Sequence, residues 1–322
     1  MRPTGKLHLG HLVGALNNWA DLQDEYDCFY FVADWHALTS GYADTSETVA
    51  NGYDMAADWI AGGLDPERST LFVQSLVPEH AELFLLLSMV IPIPWLERVP
   101  TYKEQMEQLS DKDLSTFGFL GYPLLQTADI VIYNAHYVPV GEDQVAHLEL
   151  SREIVRRFHN FYGELFVEPQ PLLTKFPRLP GLDNRKMSKS YGNAIDLSDD
   201  PETVRKKVMQ MYTDPKRVRA DIPGTVEGNP VFIYHDAFNP NTAEVDDLKE
   251  RYRAGSVGDV EVKKKLAAAL NAHLEPIRAR RAELLAKPQT LREILHEGSR
   301  KARIVAQETM ERVRGAVKLK YA

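Results

Sequence analysis

Cysteine is nearly absent from this sequence: Cys28 is the only one in 322 residues. An internal disulfide framework and any multi-cysteine zinc or iron–sulfur site are thereby excluded, and a reducing setting fits. Long apolar runs are missing too. The longest, such as Leu83–Val90, falls well short of the ~20 residues that a membrane-crossing helix needs. No basic stretch followed by an apolar one opens the chain, so a cytoplasmic location is expected and a secretory leader is not. Neither a fixed-period repeat nor a low-complexity segment occurs, which removes solenoids and arrays. At 44% hydrophobic and 26% charged, the chain has the composition of a globular protein with a real core. Its length suits one large domain or two ordinary ones.

The net charge of −8 is unevenly spread. Residues 1–180 hold 11 Lys and Arg against 25 Asp and Glu, a balance of −14, whereas residues 181–322 hold 27 against 21, a balance of +6. From Arg251 onward the count is 17 against 8. A basic end behind an acidic front half suits contact with a polyanion, and equally a solvated helical surface.

The front half alternates short β-rich runs with helical stretches. Cys28–Ala33, Thr70–Gln74 and Ile130–Tyr133 read as buried strands, and the segments 46–61 and 78–90 carry helical spacing. That alternation predicts a doubly wound α/β fold with a parallel sheet between helices. The Pro/Gly-punctuated segment Lys175–Asn184 marks the clearest boundary. Beyond it the spacing predicts helices over 200–211, 243–254, 260–287 and 290–317, hence a mainly helical second part. The division expected is a Rossmann-like domain over 1–181 and a helical one over 182–322. A doubly wound fold usually sets a strand before its first phosphate loop. Pro3-Thr4-Gly5 leaves no room for one, so a start lacking that strand is expected.

Two segments carry chemistry. The first, Pro3-Thr4-Gly5-Lys6-Leu7-His8-Leu9-Gly10-His11, runs into an amphipathic stretch over 12–21. A turn entering a helix N-terminus offers free N–H groups to an anion. Gly10 lets a nucleotide lie against the backbone, and His8 and His11, three apart, can share a face and donate to phosphoryl oxygens. Two surface histidines would look the same. The second segment, Lys186-Met187-Ser188-Lys189-Ser190, sets two lysines three apart among hydroxyls. Such a run makes a cationic clamp for a polyphosphate or a merely solvated turn. No Ser/His/Asp or Cys/His arrangement surrounds Cys28, so nucleophilic catalysis by a side chain is not indicated.

Taken together, an H-x-G-H loop and K-M-S-K-S with Lys186 standing 175 residues after His11 form the two-part pattern of class I aminoacyl-tRNA synthetases. Between them, Gly121-Tyr122-Pro123-Leu124-Leu125-Gln126-Thr127-Ala128-Asp129-Ile130 and Val138-Pro139-Val140-Gly141-Glu142-Asp143-Gln144 resemble the bacterial tryptophanyl-tRNA synthetases. The resemblance spans nearly the whole chain. It implies a class I catalytic domain that joins L-tryptophan to ATP as an adenylate and passes the aminoacyl group to tRNA(Trp). Mg²⁺ would travel with the ATP, with no metal held by the protein itself. It further implies a homodimer built on an inserted segment near 78–122, and tRNA contact through the basic helices.

Carried onto this sequence, His8 and His11 would stabilise charge at the α-phosphoryl group, and Lys186 and Lys189 the departing pyrophosphate. Arg2, Pro3, Thr4, Gly10, Ser188 and Ser190 would complete the phosphate-binding segments, with Lys103 as a weaker phosphate contact or a solvated lysine. Gly141, Glu142 and Asp143 match the ribose loop, Asp143 accepting from both hydroxyls. Leu179 and Met187 would lie near the adenine, although an apolar loop residue such as Leu179 can equally be core. Asp129 would accept the indole N–H, or else cap an element end. Tyr122 and Gln144 match positions for the ammonium and carboxylate, Gln126 would lie beside the indole, and His36 would face the pocket or sit in the core. The sequence departs from many relatives at Arg2, where Gln is frequent, at Gln126, where Met is, and at His8 and His11, often Thr and Asn. Three rivals stand beside this reading: a tyrosyl-tRNA synthetase, a small-molecule adenylating enzyme and a catalytically silent regulatory relative.

Overall fold

The computed structural model describes residues 1–99, 113–173, 179–187, 191–217 and 219–321, the side chain of Asp143 excepted. A short helix α1 (Leu9–His11) continues through a π-wound stretch (Leu12–Leu16) into α2 (Asn17–Leu22), and β1 (Cys28–Val32), α3 (Asp34–Gly41), α4 (Thr48–Ala61) and β2 (Ser69–Val73) follow. After β2 come α5 (Glu79–Ser88), α6 (Ile93–Glu97), α7 (Phe117–Leu120), α8 (Tyr122–Val131), β3 (Tyr137–Val140), α9 (Val145–Tyr162) and β4 (Gln170–Leu173). The remainder is helical: α10 (Pro201–Met209), α11 (Pro230–Phe238), α12 (Thr242–Arg253), α13 (Asp259–Leu285) and α14 (Pro288–Ala316).

Aromatic and β-branched residues make β1 and β2 good strands, and they pair in parallel with Cys28 opposite Ser69 and Val32 opposite Val73. Their side chains alternate between two cores. Tyr30, Val32 and Leu71 join the cluster of Leu9, Leu12, Met55 and Trp59, while Phe29, Phe31 and Phe72 join that of Leu83, Leu124, Ile154 and Phe158. A strand pair buried on both faces is what parallel strands require. On β1's other edge, the Met1 amine donates to Phe31 O at 2.7 Å and Ala33 N donates to Met1 O at 2.8 Å, as a further parallel strand would. A second parallel pair joins β3 and β4, with Tyr137 opposite Gln170.

The expected strand over Ile130–Tyr133 is not a strand. It is the last turn of α8 and its exit, and the parallel strand begins only at Tyr137. A short apolar run reads the same in a buried helix as in a buried strand. The helices predicted for the second half all form, within two or three residues. The first of them starts with ordinary capping chemistry, Asp200 accepting from Thr203 N at 2.8 Å with Pro201 in the first turn. Helix α11, which the spacing does not predict, starts the same way, with Asn229 accepting from Val231 N at 3.0 Å before Pro230.

The cores do not divide at residue 181. Leu291 and Leu295 of α14 belong to the first cluster and Ala302, Ala306, Met310 and Val313 to the second, so this helix crosses the edge of β2 from one to the other. The crossing is close. A Cβ on Gly298 would lie 1.8 Å from Leu71 O, and Val73 N donates to Ser299 Oγ at 3.1 Å. Helix α14 thereby covers the outer edge of the strand pair. Helix α13 is tied to α4 through Arg281, whose Nε donates to Asp58 at 2.7 Å and whose Nη2 pairs with Asp54. Burial lifts the Asp58 carboxyl to a pKa of about 6 even with that guanidinium beside it. Among the described residues, no helix is long and apolar enough to cross a membrane.

Candidate active site

The two motif segments, far apart in sequence, are zipped together in space. Leu9 N donates to Ile195 O at 3.0 Å and Leu197 N to Leu7 O at 2.9 Å, which makes His8 and Asp196 an antiparallel pair. The chain that follows K-M-S-K-S thus lies along the strand-like entry to the H-x-G-H loop. Met187 closes the join from the other side: a Cβ on Gly10 would come 2.8 Å from its Sδ and 3.0 Å from the His8 ring. A side chain on Gly10 would push on both Met187 and the His8 ring.

Within the loop, His8 N donates to His11 Nδ1 at 3.1 Å and the two rings sit 3.8 Å apart. A neutral His11 then carries its proton on Nε2, the only nitrogen left to hold it. The π-wound stretch follows at once, closed by Asn17 N donating to Leu12 O. Such windings recur where a helix start is shaped for a ligand.

The second segment grows from a tight hairpin. Pro180 and Lys186 pair across it, Gly181 N donates to Arg185 O at 2.7 Å, and Asn184 adopts a φ of 65°. Asn193 Nδ2 ties Lys186 O at 3.1 Å and Asp183 at 2.8 Å. Gly181 must lack a Cβ, since one would stand 2.2 Å from that amide. The Lys186 side chain is exposed and Met187 is half-buried. This hairpin fixes where the run begins.

Beyond the carboxyl ends of β1 and β2, where open parallel sheets bind ligands, lies a buried polar cluster centred on Asp129. Tyr122, Gln126 and Asp129 stand at i, i+4 and i+7 of α8 and so share one face. His36 Nε2 donates to Asp129 Oδ2 at 2.6 Å, while His80 Nδ1 at 2.6 Å and Gln74 Nε2 at 2.8 Å both donate to Oδ1. Burial alone would raise the Asp129 pKa, but His36 and His80 outweigh it and hold the carboxyl at about 2. The Tyr122 ring meets His36 edge-on at 4.6 Å and His147 at 6.0 Å, and burial pushes its hydroxyl up.

Two motif segments joined in space and a buried polar cluster around one carboxylate are thus the chemistry-bearing features of this chain. Residues 1–275 match the family model described as tRNA synthetases class I (W and Y). The chain belongs to this family. The tryptophan–tRNA ligase of Treponema pallidum is 53% identical over 321 residues, covering 99% of this chain and 95% of that protein. The enzyme of the same name from Thermotoga maritima is 51% identical over 322 residues, covering 100% and 98%. A tryptophanyl-tRNA synthetase structure from Campylobacter jejuni, complexed with ADP and tryptophan, superposes with a TM-score of 0.90 at 33% identity, covering 99% and 98%.

On this class I synthetase frame, Arg2 and Thr4 are exposed at the entry, Pro3 is buried beneath them, and Leu179 is buried before the hairpin. Gly141 is extended and Glu142 exposed in the turn that starts α9, with Gln144 half-buried at its end. Lys103, Ser188, Lys189 and Ser190 lie outside the described residues, as does the Asp143 side chain. Sequence reasoning missed Gln74, His80 and Tyr133. Their one signal is position: Gln74 follows directly on a buried strand and His80 stands in the first turn of the next helix.

Proposed function

We propose that this chain activates L-tryptophan with ATP and transfers it to tRNA(Trp). In the first step a carboxylate oxygen of tryptophan attacks the α-phosphorus, and pyrophosphate leaves. In the second, a terminal ribose hydroxyl of the tRNA attacks the acyl carbon, and AMP leaves. Neither step needs a nucleophile from the protein. What the protein supplies is placement and charge stabilisation. The observation that supports the reading is the seating of Met187 on Gly10, which puts the start of the lysine-bearing segment against the histidine-bearing one, as a shared grip on one phosphate chain would require.

In this reading His8 and His11 stabilise the α-phosphoryl group, and Lys186 and Lys189 the pyrophosphate, with Mg²⁺ carried by the nucleotide. Gly141 and Asp143 take the ribose, and Leu179 and Met187 the adenine. Asp129 accepts the indole N–H, Gln126 lies beside the ring, and Tyr122, Gln144 and His36 hold the amino-acid backbone end. Lys264, Arg280, Lys287, Arg292 and Lys301 are exposed on α13, α14 and the link between them, which suits the tRNA backbone. Leu85, Met89 and Ile93 are exposed at 53%, 69% and 57%, and Phe117, exposed at 64%, lines an apolar cleft of 330 Å³ with Trp35, Tyr42 and Phe84. A patch of that kind supports a homodimer through this region. The absence of paired cysteines supports a cytoplasmic enzyme.

The deciding experiment is amino-acid-dependent ATP–pyrophosphate exchange with L-tryptophan, L-tyrosine and a blank. Exchange with tryptophan alone is expected. Exchange with tyrosine would keep the chemistry and overturn the reading of Asp129, and exchange with neither would overturn the reaction.

A further inference from the structure

The reading above gives no task to His80, Gln74 or Tyr133, although all three belong to the buried cluster around Asp129. A carboxylate offers about four lone-pair directions. Gln74 Nε2 and His80 Nδ1 occupy both on Oδ1, and His36 Nε2 takes one on Oδ2. Among the described residues these leave one acceptor direction, on Oδ2. The three donors reach Asp129 from separate elements, so the carboxylate cannot turn without breaking bonds to more than one.

His80 is itself locked. Its Nδ1 faces a carboxylate and must carry the proton, which leaves Nε2 of the neutral ring as an acceptor. Tyr133, four residues beyond Asp129, lies 2.6 Å from that Nε2 and donates its O–H to it. The same phenol ring stacks on Phe29 at 4.8 Å and meets Phe72 edge-on at 5.6 Å, which holds the hydroxyl in place. Without the Tyr133 hydroxyl, Nε2 is left buried with no donor and the ring loses its anchor at that end. The imidazole can then swing, and the Nδ1–H bond to Oδ1 moves with it, so the carboxylate is no longer held in one direction.

We infer that Tyr133 and His80 are positioning residues for amino-acid selection: the relay from Tyr133 through His80 to Asp129 Oδ1 aims the remaining lone pair of Oδ2 at the indole N–H. This deepens the reading of Asp129 as the indole acceptor and rests on it. Neither residue touches the amino acid. Both act on selectivity through the direction in which Asp129 accepts.

The test compares kcat/KM in pyrophosphate exchange for tryptophan and for its benzothiophene isostere, in which sulfur replaces the ring N–H, using the full chain. Tyr133→Phe and His80→Leu are expected to reduce the preference for tryptophan about tenfold, the scale of one hydrogen bond to a charged group. The change falls in the KM for tryptophan, while kcat/KM for the isostere and the KM for ATP stay within about twofold. His80→Asn, whose amide N–H overlies Nδ1, restores most of the preference. A merely structural role would weaken both substrates together, and that result overturns the inference, as does an unchanged preference. Tyr133→Phe removes one hydroxyl and decides alone if His80→Leu does not fold. Asp129→Asn separates the two claims. Its oxygen takes the two donors at Oδ1 and turns its N–H toward the indole, so the preference collapses. If Asp129→Asn keeps the preference, the indole reading fails. If it loses the preference while the other variants keep it, the indole reading stands and the positioning role fails.

Discussion

Gly10→Ala probes whether the two motif segments meet as described, and its effect follows from distances. The new Cβ would stand 2.8 Å from Met187 Sδ and 3.0 Å from His8 Cε1 and Nδ1. Ordinary contact begins near 3.4 Å, so Met187 must retreat about 0.6 Å and the His8 ring about 0.4 Å. Met187 is a flexible side chain and gives way readily. His8 is less free, because its backbone is held by Asp196 on one side and its N–H by His11 on the other. A misplacement of about 1 Å can cost ~10²-fold in rate, so roughly half that shift predicts about a tenfold loss, or ~1.4 kcal/mol of transition-state stabilisation. Stability moves little, since removing a helical glycine gains up to ~1 kcal/mol and the overpacking offsets it. The assay is pyrophosphate exchange at saturating ATP and tryptophan, alongside thermal unfolding. The expected result is a tenfold lower kcat, an unchanged KM for tryptophan and an unchanged Tm. Adding Met187→Ala relieves the sulfur contact and leaves the His8 contact, so the double variant stays slow. Exchange at the parent rate, or full rescue by Met187→Ala, would refute the argument from His8.

Lys186→Ala should slow exchange by about 10²-fold with the KM for tryptophan within twofold, because it removes charge stabilisation at the leaving group and nothing from the indole site; steady-state kinetics check this. Gly298→Ala should destabilise the chain by about 3 kcal/mol, since α14 must rise about 1.6 Å off Leu71 O and open both cores at once. In thermal unfolding of a chain this long that is a fall in Tm of roughly 4–5 °C. Asp58 gives a pH dependence of definite sign. Its carboxyl titrates near 6 when folded, above its ordinary value of 3.8, so between those values the folded state holds a proton that the unfolded state lacks. Its contribution is therefore present below pH about 4 and lost as pH rises through about 6, by ~3 kcal/mol. Urea unfolding of the parent and of Asp58→Asn across that range should show the parent losing stability relative to the variant; parallel curves would show that the carboxyl does not titrate there.

Reading the chain in one dimension succeeds where the cause is local. Asp200 before Pro201 starts a predicted helix because a short polar side chain meets orphan N–H groups within three residues. Asn229 before Pro230 carries the same signal at α11, a helix that the spacing did not predict. The alternating runs at β1 and β2 are strands because their side chains must serve two cores. The segments that carry His8, Gly10, His11 and Lys186 stood out by their spacing, and the fold lays them side by side. Ile130–Tyr133 failed for the converse reason. Four apolar residues fit a strand or a helix end, and only the packing of α8 decides between them.

Tertiary structure alone decided the surroundings of Asp129. Its donors come from α3, from the turn after β2 and from the first turn of α5, and Tyr133 completes the set from the exit of α8. No spacing rule joins residues 36, 74, 80, 129 and 133. They meet because the parallel strand pair brings its carboxyl ends to one place and α5 and α8 pack across them. The join of Gly10 to Met187 and the crossing of α14 over Leu71 are of the same kind. The sequence by itself determined which residues bring charge and hydrogen-bonding capacity, because that is covalent chemistry. Which of them face one another was decided by burial, since apolar faces close over one another only when these elements lie side by side.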